Sequence, residues 1–204
     1  MNEAAAREEV LAFMSEMEVR PAHVQHVTGL ALQLFDQLVS LHGLGARERL
    51  LLEAAARLHD IGHRSAAPGA GHHHESARMI RERAWKHFSG LEVEVVAQVA
   101  RYHRKAMPEL SHEEFKALND WDRRLVQRLA AILRLADAFD RSHAQHIERV
   151  VLELPANRII FRLESAGPVL QEVQAAHLKG DLARAVFQRD LVFMFGDEEM
   201  KPPQ

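Results

Sequence analysis

The segment Leu50-Leu51-Leu52-Glu53-Ala54-Ala55-Ala56-Arg57-Leu58-His59-Asp60 is an apolar run that closes on an adjacent histidine and aspartate. Leucine and alanine are strong helix formers, so the run reads as a helix with the His-Asp pair at its C-terminal end. There an imidazole and a carboxylate offer a cation one neutral nitrogen and one anionic oxygen, a mixed donor set that suits Mn, Fe, Ni or Zn. The dipeptide alone has a simpler explanation. A histidine at a helix C-terminus answers the negative end of the dipole, and an aspartate belongs in a turn.

The neighbouring segments change that balance. In Arg20-Pro21-Ala22-His23-Val24-Gln25-His26-Val27, His23 lies at helical spacing from Val27 and Leu30 and shares their inward face. Val95, Val96 and Val99 form a stripe that His103 continues at its helix end. Leu129, Ala130 and Leu133 define a packed side onto which Asp137 falls, where an unpaired carboxylate is costly and a cation removes the cost. A lone histidine on an apolar face is ordinarily satisfied by a carbonyl, and Asp137 has Arg134 and Arg141 at helical spacing. Several such placements on inward faces favour a metal centre instead. The intervals from His23 to His59, His72 to His103 and His103 to Asp137 are each roughly 30 to 36 residues, the length of a helix, a turn and a returning helix. Antiparallel helices would bring these side chains to one level.

Helical patterns are predicted over 3–17, 22–42, 46–59, 73–87, 92–104 and 122–142, with one short helix inside 106–120. The stretch 64–71, with Pro68 and glycines, reads as a loop able to act as a lid over the site. After Ile147 the period changes. Residues 149–154 and 158–163 flank Pro155-Ala156-Asn157 as a hairpin; 169–177 is expected to add a strand, 181–187 a helix and 191–195 a final strand. The expected organisation is a helical domain over 1–147 with a small α+β appendage over 148–204 packed on it as a cap.

The chain has 204 residues and 47% apolar content, enough for its own core. It has no cysteine, so disulfides and thiolate ligands are excluded and any metal must be held by nitrogen and oxygen. No apolar run approaches membrane-spanning length, and a cytoplasmic location is expected. A net charge of −3 argues against general nucleic-acid binding, which needs many Lys and Arg contacts to phosphates.

The order His, His-Asp, His, His, Asp resembles the HD superfamily of metal-dependent phosphohydrolases. The surrounding words sharpen the resemblance: His23-Val24-Gln25-His26-Val27-Thr28-Gly29-Leu30, Ala55-Ala56-Arg57-Leu58-His59-Asp60-Ile61-Gly62, Gly71-His72-His73-His74-Glu75-Ser76, Tyr102-His103-Arg104-Lys105 and Leu135-Ala136-Asp137-Ala138-Phe139-Asp140-Arg141-Ser142-His143. Together they resemble the C-terminal HD-like domain of the exopolyphosphatase and guanosine pentaphosphate phosphohydrolase (Ppx/GppA) family, over about 12–195. The resemblance implies a mainly α fold, an HD-domain helical bundle with a small C-terminal α+β appendage. Full-length members begin with an actin-like, two-lobed phosphatase region to which hydrolysis is attributed; nothing of that kind precedes His23, so a free-standing module is expected.

His23, His59, Asp60 and Asp137 are the expected set for one divalent ion, with His72 and His103 extending it to a second and Asp60 bridging. His73 competes with His72 for the inward position. His26, His63 and His143 are expected to support the site or face solvent. One or two ions among Mn, Fe, Ni, Zn or Mg would serve. Arg104 and Lys105 are the expected donors to developing phosphoryl charge, with Arg64, Arg134 and Arg141 as further candidates. The expected function is hydrolysis of a phosphate ester or anhydride in a nucleotide, alarmone or polyphosphate-like compound; the alternative is a non-catalytic regulatory module that binds such a compound. The expected partners are that small phosphate-containing substrate and a second copy of the chain as a homodimer, with a separate actin-like phosphatase chain as a further partner under the regulatory alternative.

Overall fold

The structure, a computed structural model, describes residues 2–18, 20–66 and 71–202. Residues 67–70 of the expected lid lie outside them. α1 (Glu3–Met17) begins where the Asn2 side chain accepts from the Ala4 and Ala5 amides, satisfying donors that the helix leaves free. α2 (Pro21–Gln37) opens on a proline, whose missing N–H is no loss in a first turn. The single helix expected over 22–42 is broken at Leu38, and α3 (Val39–His42) follows. Buried His42 holds the break, one ring nitrogen on the Phe35 carbonyl at 2.8 Å and the other accepting the Leu44 amide at 2.9 Å. Gly43, at φ +63°, then turns the chain in a conformation that favours glycine.

α4 (Ala46–Leu58) is followed by a 3-10 turn (Ile61–Arg64), α5 (His72–Glu82), α6 (Gly90–Arg101), α7 (Glu113–Lys116) and α8 (Asp120–Ala138). α4 is buried from Leu50 through Ala56, and its small Ala54, Ala55 and Ala56 let α1, α2, α6 and α8 pack around it. α5 ends at Glu82, short of the expected residue 87. The Glu9 carboxylate of α1 takes the Lys86 and His87 amides at 2.8 and 3.1 Å, and Trp85 Nε1 donates back to the Ile80 carbonyl at 2.8 Å. Ser89 and Glu92 then open α6 with reciprocal bonds between side chain and backbone.

β1 (Ile147–Glu153) and β2 (Arg158–Ser165) form the expected antiparallel hairpin, with Val150 opposite Leu163 and Leu152 opposite Phe161. β2 pairs in parallel with β3 (Asp190–Phe195), and β3 pairs antiparallel with the two-residue β4 (Glu198–Glu199). A parallel pair needs a long crossover, here supplied by α9 (Leu170–Lys179) and α10 (Asp181–Phe187). The strand expected over 169–177 is therefore a helix: Val169, Val173 and Ala176 are buried at spacings of a helical face, not of a strand. The outer edge of β1 is covered by α2, whose Gln37 accepts from the Leu152 amide at 2.9 Å and donates to the Val150 carbonyl at 2.8 Å.

One apolar cluster runs from α1 through the sheet. Phe139, at the end of α8, meets Phe161 and Phe193 with ring centroids 5.9 and 6.0 Å apart, which seats the sheet against the end of the helix that carries Asp137. Among the described residues, no helix is long and apolar enough to cross a membrane.

Candidate metal centre

His59 and Asp60 leave the end of α4, and the turn that follows brings α5 onto them. The Gly62 amide donates to Ser76 Oγ at 2.9 Å, and that hydroxyl donates to the His59 carbonyl at 2.6 Å. A Cβ at position 62 would collide with the His72 carbonyl oxygen and the Ser76 nitrogen, so the close approach requires glycine. It sets His72 Nε2 3.2 Å from Asp60 Oδ1. His23 comes from the first turn of α2, His103 from just beyond α6 and Asp137 from the last turn of α8. All six side chains predicted as ligands are buried.

His23 Nε2 stands 3.4 Å from Asp137 Oδ1 and 3.9 Å from Asp60 Oδ2. His59 Nε2 stands 3.7 Å from Asp60 Oδ1 and 3.9 Å from Asp137 Oδ1, and His103 Nε2 3.8 Å from Asp60 Oδ1. Such separations suit donors around a common cation with bonds of about 2.1 Å. Two groups, His23–His59–Asp60 and Asp60–His72–His103, each bring their ligand atoms within 4.8 Å of one another and share Asp60.

Three of the rings are oriented by their other nitrogen. His59 Nδ1 donates to the Ala56 carbonyl and His103 Nδ1 to the Ala100 carbonyl, both at 2.7 Å, while His23 Nδ1 donates to Asp140 Oδ2 at 2.8 Å. An acceptor at Nδ1 places the proton there and turns the Nε2 lone pair inward. His59 Nε2 is fully buried with no hydrogen-bond partner, which is costly unless something binds it. This orphaned nitrogen, between two carboxylates and among nitrogen and oxygen donors, fits a divalent cation.

Burial alone would raise the Asp60 carboxyl, but His59, His72 and His103 around it hold it below the usual carboxylate range. Asp137 is likewise held well below that range, burial being outweighed by Lys179 and by the hydrogen bond from His23. Burial disfavours charge on His23, yet its bonds to Asp137 and Asp140 overcome this and raise it to about 9. Burial pushes His103 well below the ordinary imidazole value, so it is neutral and able to ligate.

The centre floors a cavity of about 440 Å³ whose walls carry Arg20, Arg104, Lys105, Arg141 and Lys179. Arg104 donates to His72 Nε2 at 3.3 Å. His73 is buried but absent from the cavity lining, so the ring that faces Asp60 is that of His72. His63 and His143, expected as support or surface, also line the cavity; His63 stacks on His72 and His143 on His23, with centroids 3.6 and 4.0 Å apart. Two expected phosphate donors are committed elsewhere. Arg64 donates to the Glu16 carbonyl at 2.9 Å, and Arg134 is buried in a structural clamp on backbone carbonyls and Asp181.

Sequence reasoning missed Lys179, which pairs with Asp137, and gave Asp140 no part in the ligand set. Asp140 had a usable signal, three residues beyond Asp137 on the same word. Lys179 had none, because its approach depends on how α9 packs.

Fold and centre together define a helical domain organised around a buried His/Asp cluster, with a small sheet at its end. The family model of Ppx/GppA phosphatase, domain III, matches residues 7–183, and the chain belongs to that family. No curated protein matches it. Membership ties the chain to phosphatase-related, nucleotide- or polyphosphate-related function.

Proposed function

We propose that this chain is an HD-type metal-dependent phosphohydrolase acting on a phosphate ester or anhydride, in a nucleotide, alarmone or polyphosphate-like compound. The observation that supports this most is the convergence of three buried imidazoles whose Nδ1 atoms are all engaged, leaving Nε2 of His23 and His59 directed at both Asp60 and Asp137 and that of His103 at Asp60. His59 Nε2, which stands 3.7 Å from Asp60 Oδ1 and 3.9 Å from Asp137 Oδ1, is left without a hydrogen-bond partner.

His23, His59, Asp60 and Asp137 would hold one divalent ion; Asp60, His72 and His103 would hold a second. When bound, such ions supply Lewis-acid charge and a more acidic water. The remaining work belongs to the chain. Arg104 and Lys105 on the cavity wall take phosphoryl oxygens and orient the phosphorus toward Asp60, and their charge answers the negative charge that develops there. The ligand side chains His59 and His103 are buried beneath the cavity floor, whereas Arg104 and Lys105 stand at its solvent side, where a phosphate compound would enter.

The pairing of Lys179 with Asp137 supports a second reading, a regulatory module that binds a phosphate compound without turnover, because a lysine already neutralises one carboxylate of the centre. The two readings part on one experiment. Protein loaded with Mn, Ni, Fe or Mg is assayed for phosphate release from nucleotides, guanosine pentaphosphate and polyphosphate. Release from the wild type, abolished in His59→Ala and Asp60→Ala with circular dichroism unchanged, is expected. Its absence from protein shown to contain metal selects the regulatory module.

A further inference from the structure

Lys179 ends α9, in the crossover between β2 and β3, yet its Nζ reaches Oδ2 of Asp137, 42 residues away in sequence. The other oxygen of Asp137 faces the imidazoles of His23 and His59. The carboxylate is thus divided between the side where a metal would sit and a lysine that also lines the cavity.

The backbone beneath that lysine is held in place. Arg134, only 2% exposed, donates Nε to the Lys179 carbonyl at 3.1 Å, Nη1 to the Tyr102 and Lys105 carbonyls at 3.2 Å each, and Nη2 to Asp181 at 2.8 Å. A single guanidinium fixes the main chain at both Lys105 and Lys179 and leaves their ammonium groups on the cavity wall. Lys105 adopts φ +58°, a left-handed conformation that is costly for a residue with a Cβ and that recurs at binding sites. The apolar part of the lining comes from Ala175 and Leu178, both on α9, and among the described residues the lining holds no aromatic ring other than imidazoles to stack on a base. The chemistry offered to a ligand is that of a phosphate group.

We infer that Lys179 exchanges partners: it neutralises Asp137 while no divalent ion is present, and when an ion takes that carboxylate its ammonium moves to a phosphoryl oxygen in the cavity, forming with Lys105 a two-lysine clamp. The inference rests on the metal-dependent reading above. A lysine has the flexible four-carbon stem such a move needs, and a divalent ion on Asp137 repels the ammonium that previously paired with it.

The test is a pair of titrations on purified protein carrying Lys179→Met or Lys179→Arg, neither of which requires turnover. Mn(II) is titrated onto metal-free protein by calorimetry, then inorganic phosphate onto the Mn(II)-loaded form. Removing a cation from beside Asp137 is expected to tighten Mn(II) binding by roughly tenfold. Loss of a charged donor is expected to weaken phosphate binding by roughly tenfold or more. Lys179→Arg keeps the charge and should stay near wild type in both titrations, which controls for folding. A merely structural lysine would move both affinities the same way or neither, and either result overturns the inference. Wild type that takes up no Mn(II) overturns the metal-dependent reading and this inference together; wild type that binds Mn(II), with Lys179→Met unchanged in phosphate affinity, overturns this one alone.

Discussion

His23 and Asp140 are joined by a 2.8 Å hydrogen bond from Nδ1 to Oδ2, and every other polar contact of that carboxylate serves to hold it there. The Gln145 amide donates to Oδ1 at 2.8 Å and its side chain to Oδ2 at 3.0 Å, with Gln145 in a left-handed conformation at φ +53°. Asp140 is fully buried, so the pair is shielded from water and fixes both the tautomer and the plane of the His23 ring.

Asp140→Asn should therefore weaken Mn(II) binding by roughly ten- to hundredfold, although Asp140 is not itself placed to ligate. Calorimetry on metal-free protein measures this. Asp36→Asn, which removes an exposed partner of Arg49 far from the centre, is the control and should leave Mn(II) affinity unchanged. Equal affinities for the wild type and Asp140→Asn would remove the positioning role.

Gly62→Ala tests the approach of α5 to Asp60. The added methyl collides with backbone atoms of His72 and Ser76, which cannot rotate away, and relief by backbone shift should cost about 1–3 kcal/mol. Urea unfolding reads that loss. Since the shift moves His72 first, the second equivalent of Mn(II) should weaken more than the first in a titration; uniform weakening would show that the turn does not set His72 alone.

Arg134→Met removes a buried guanidinium that holds three carbonyl oxygens and Asp181. Leaving those acceptors unpaired should destabilise the fold by about 3 kcal/mol or more. The same variant loosens the main chain at Lys105 and Lys179, so phosphate affinity of the metal-loaded protein should fall even where the variant remains fully folded. A variant of wild-type stability would contradict the clamp.

Glu92 provides a pH-dependent term away from the centre. The hydrogen bond from Arg47, at 2.5 Å, outweighs burial and, with the bonds from Ser89, depresses its carboxyl to about 2. A depressed carboxyl stabilises the fold fully above its unfolded value and loses that contribution as pH falls through the folded value. Wild type should therefore exceed Glu92→Gln in urea midpoint above about pH 5, with the gap closing as pH falls from the ordinary glutamate value of about 4.5 toward 2. A gap constant across that range would rule out the charged pair as its source.

Much of the centre was legible in the sequence because a helix converts spacing into facing. His23 precedes Val27 and Leu30 on one face of α2, Asp137 follows Leu133 on α8, and His103 continues the Val99 stripe just past the end of α6; once these helices pack by their apolar stripes, the side chains are turned inward. The hairpin at Pro155-Ala156-Asn157 was legible for a similarly local reason. The segment 169–177 was misread, since its few apolar residues suit either period over so short a stretch, and the parallel pairing of β2 with β3 is what demands a helix there.

The sequence by itself determined the helical bundle, the hairpin and the inward facing of His23, His59, Asp60, His103 and Asp137, because those depend on local propensity and on the 3.6-residue period. Tertiary structure alone decided that His72 and not His73 meets Asp60, that Asp140 carries His23, and that Lys179 enters the centre from α9. Each of those contacts depends on how separate elements settle against one another, on a glycine close enough for two backbones to touch and on a crossover seated beside α8. No spacing along the chain encodes a distance across the core.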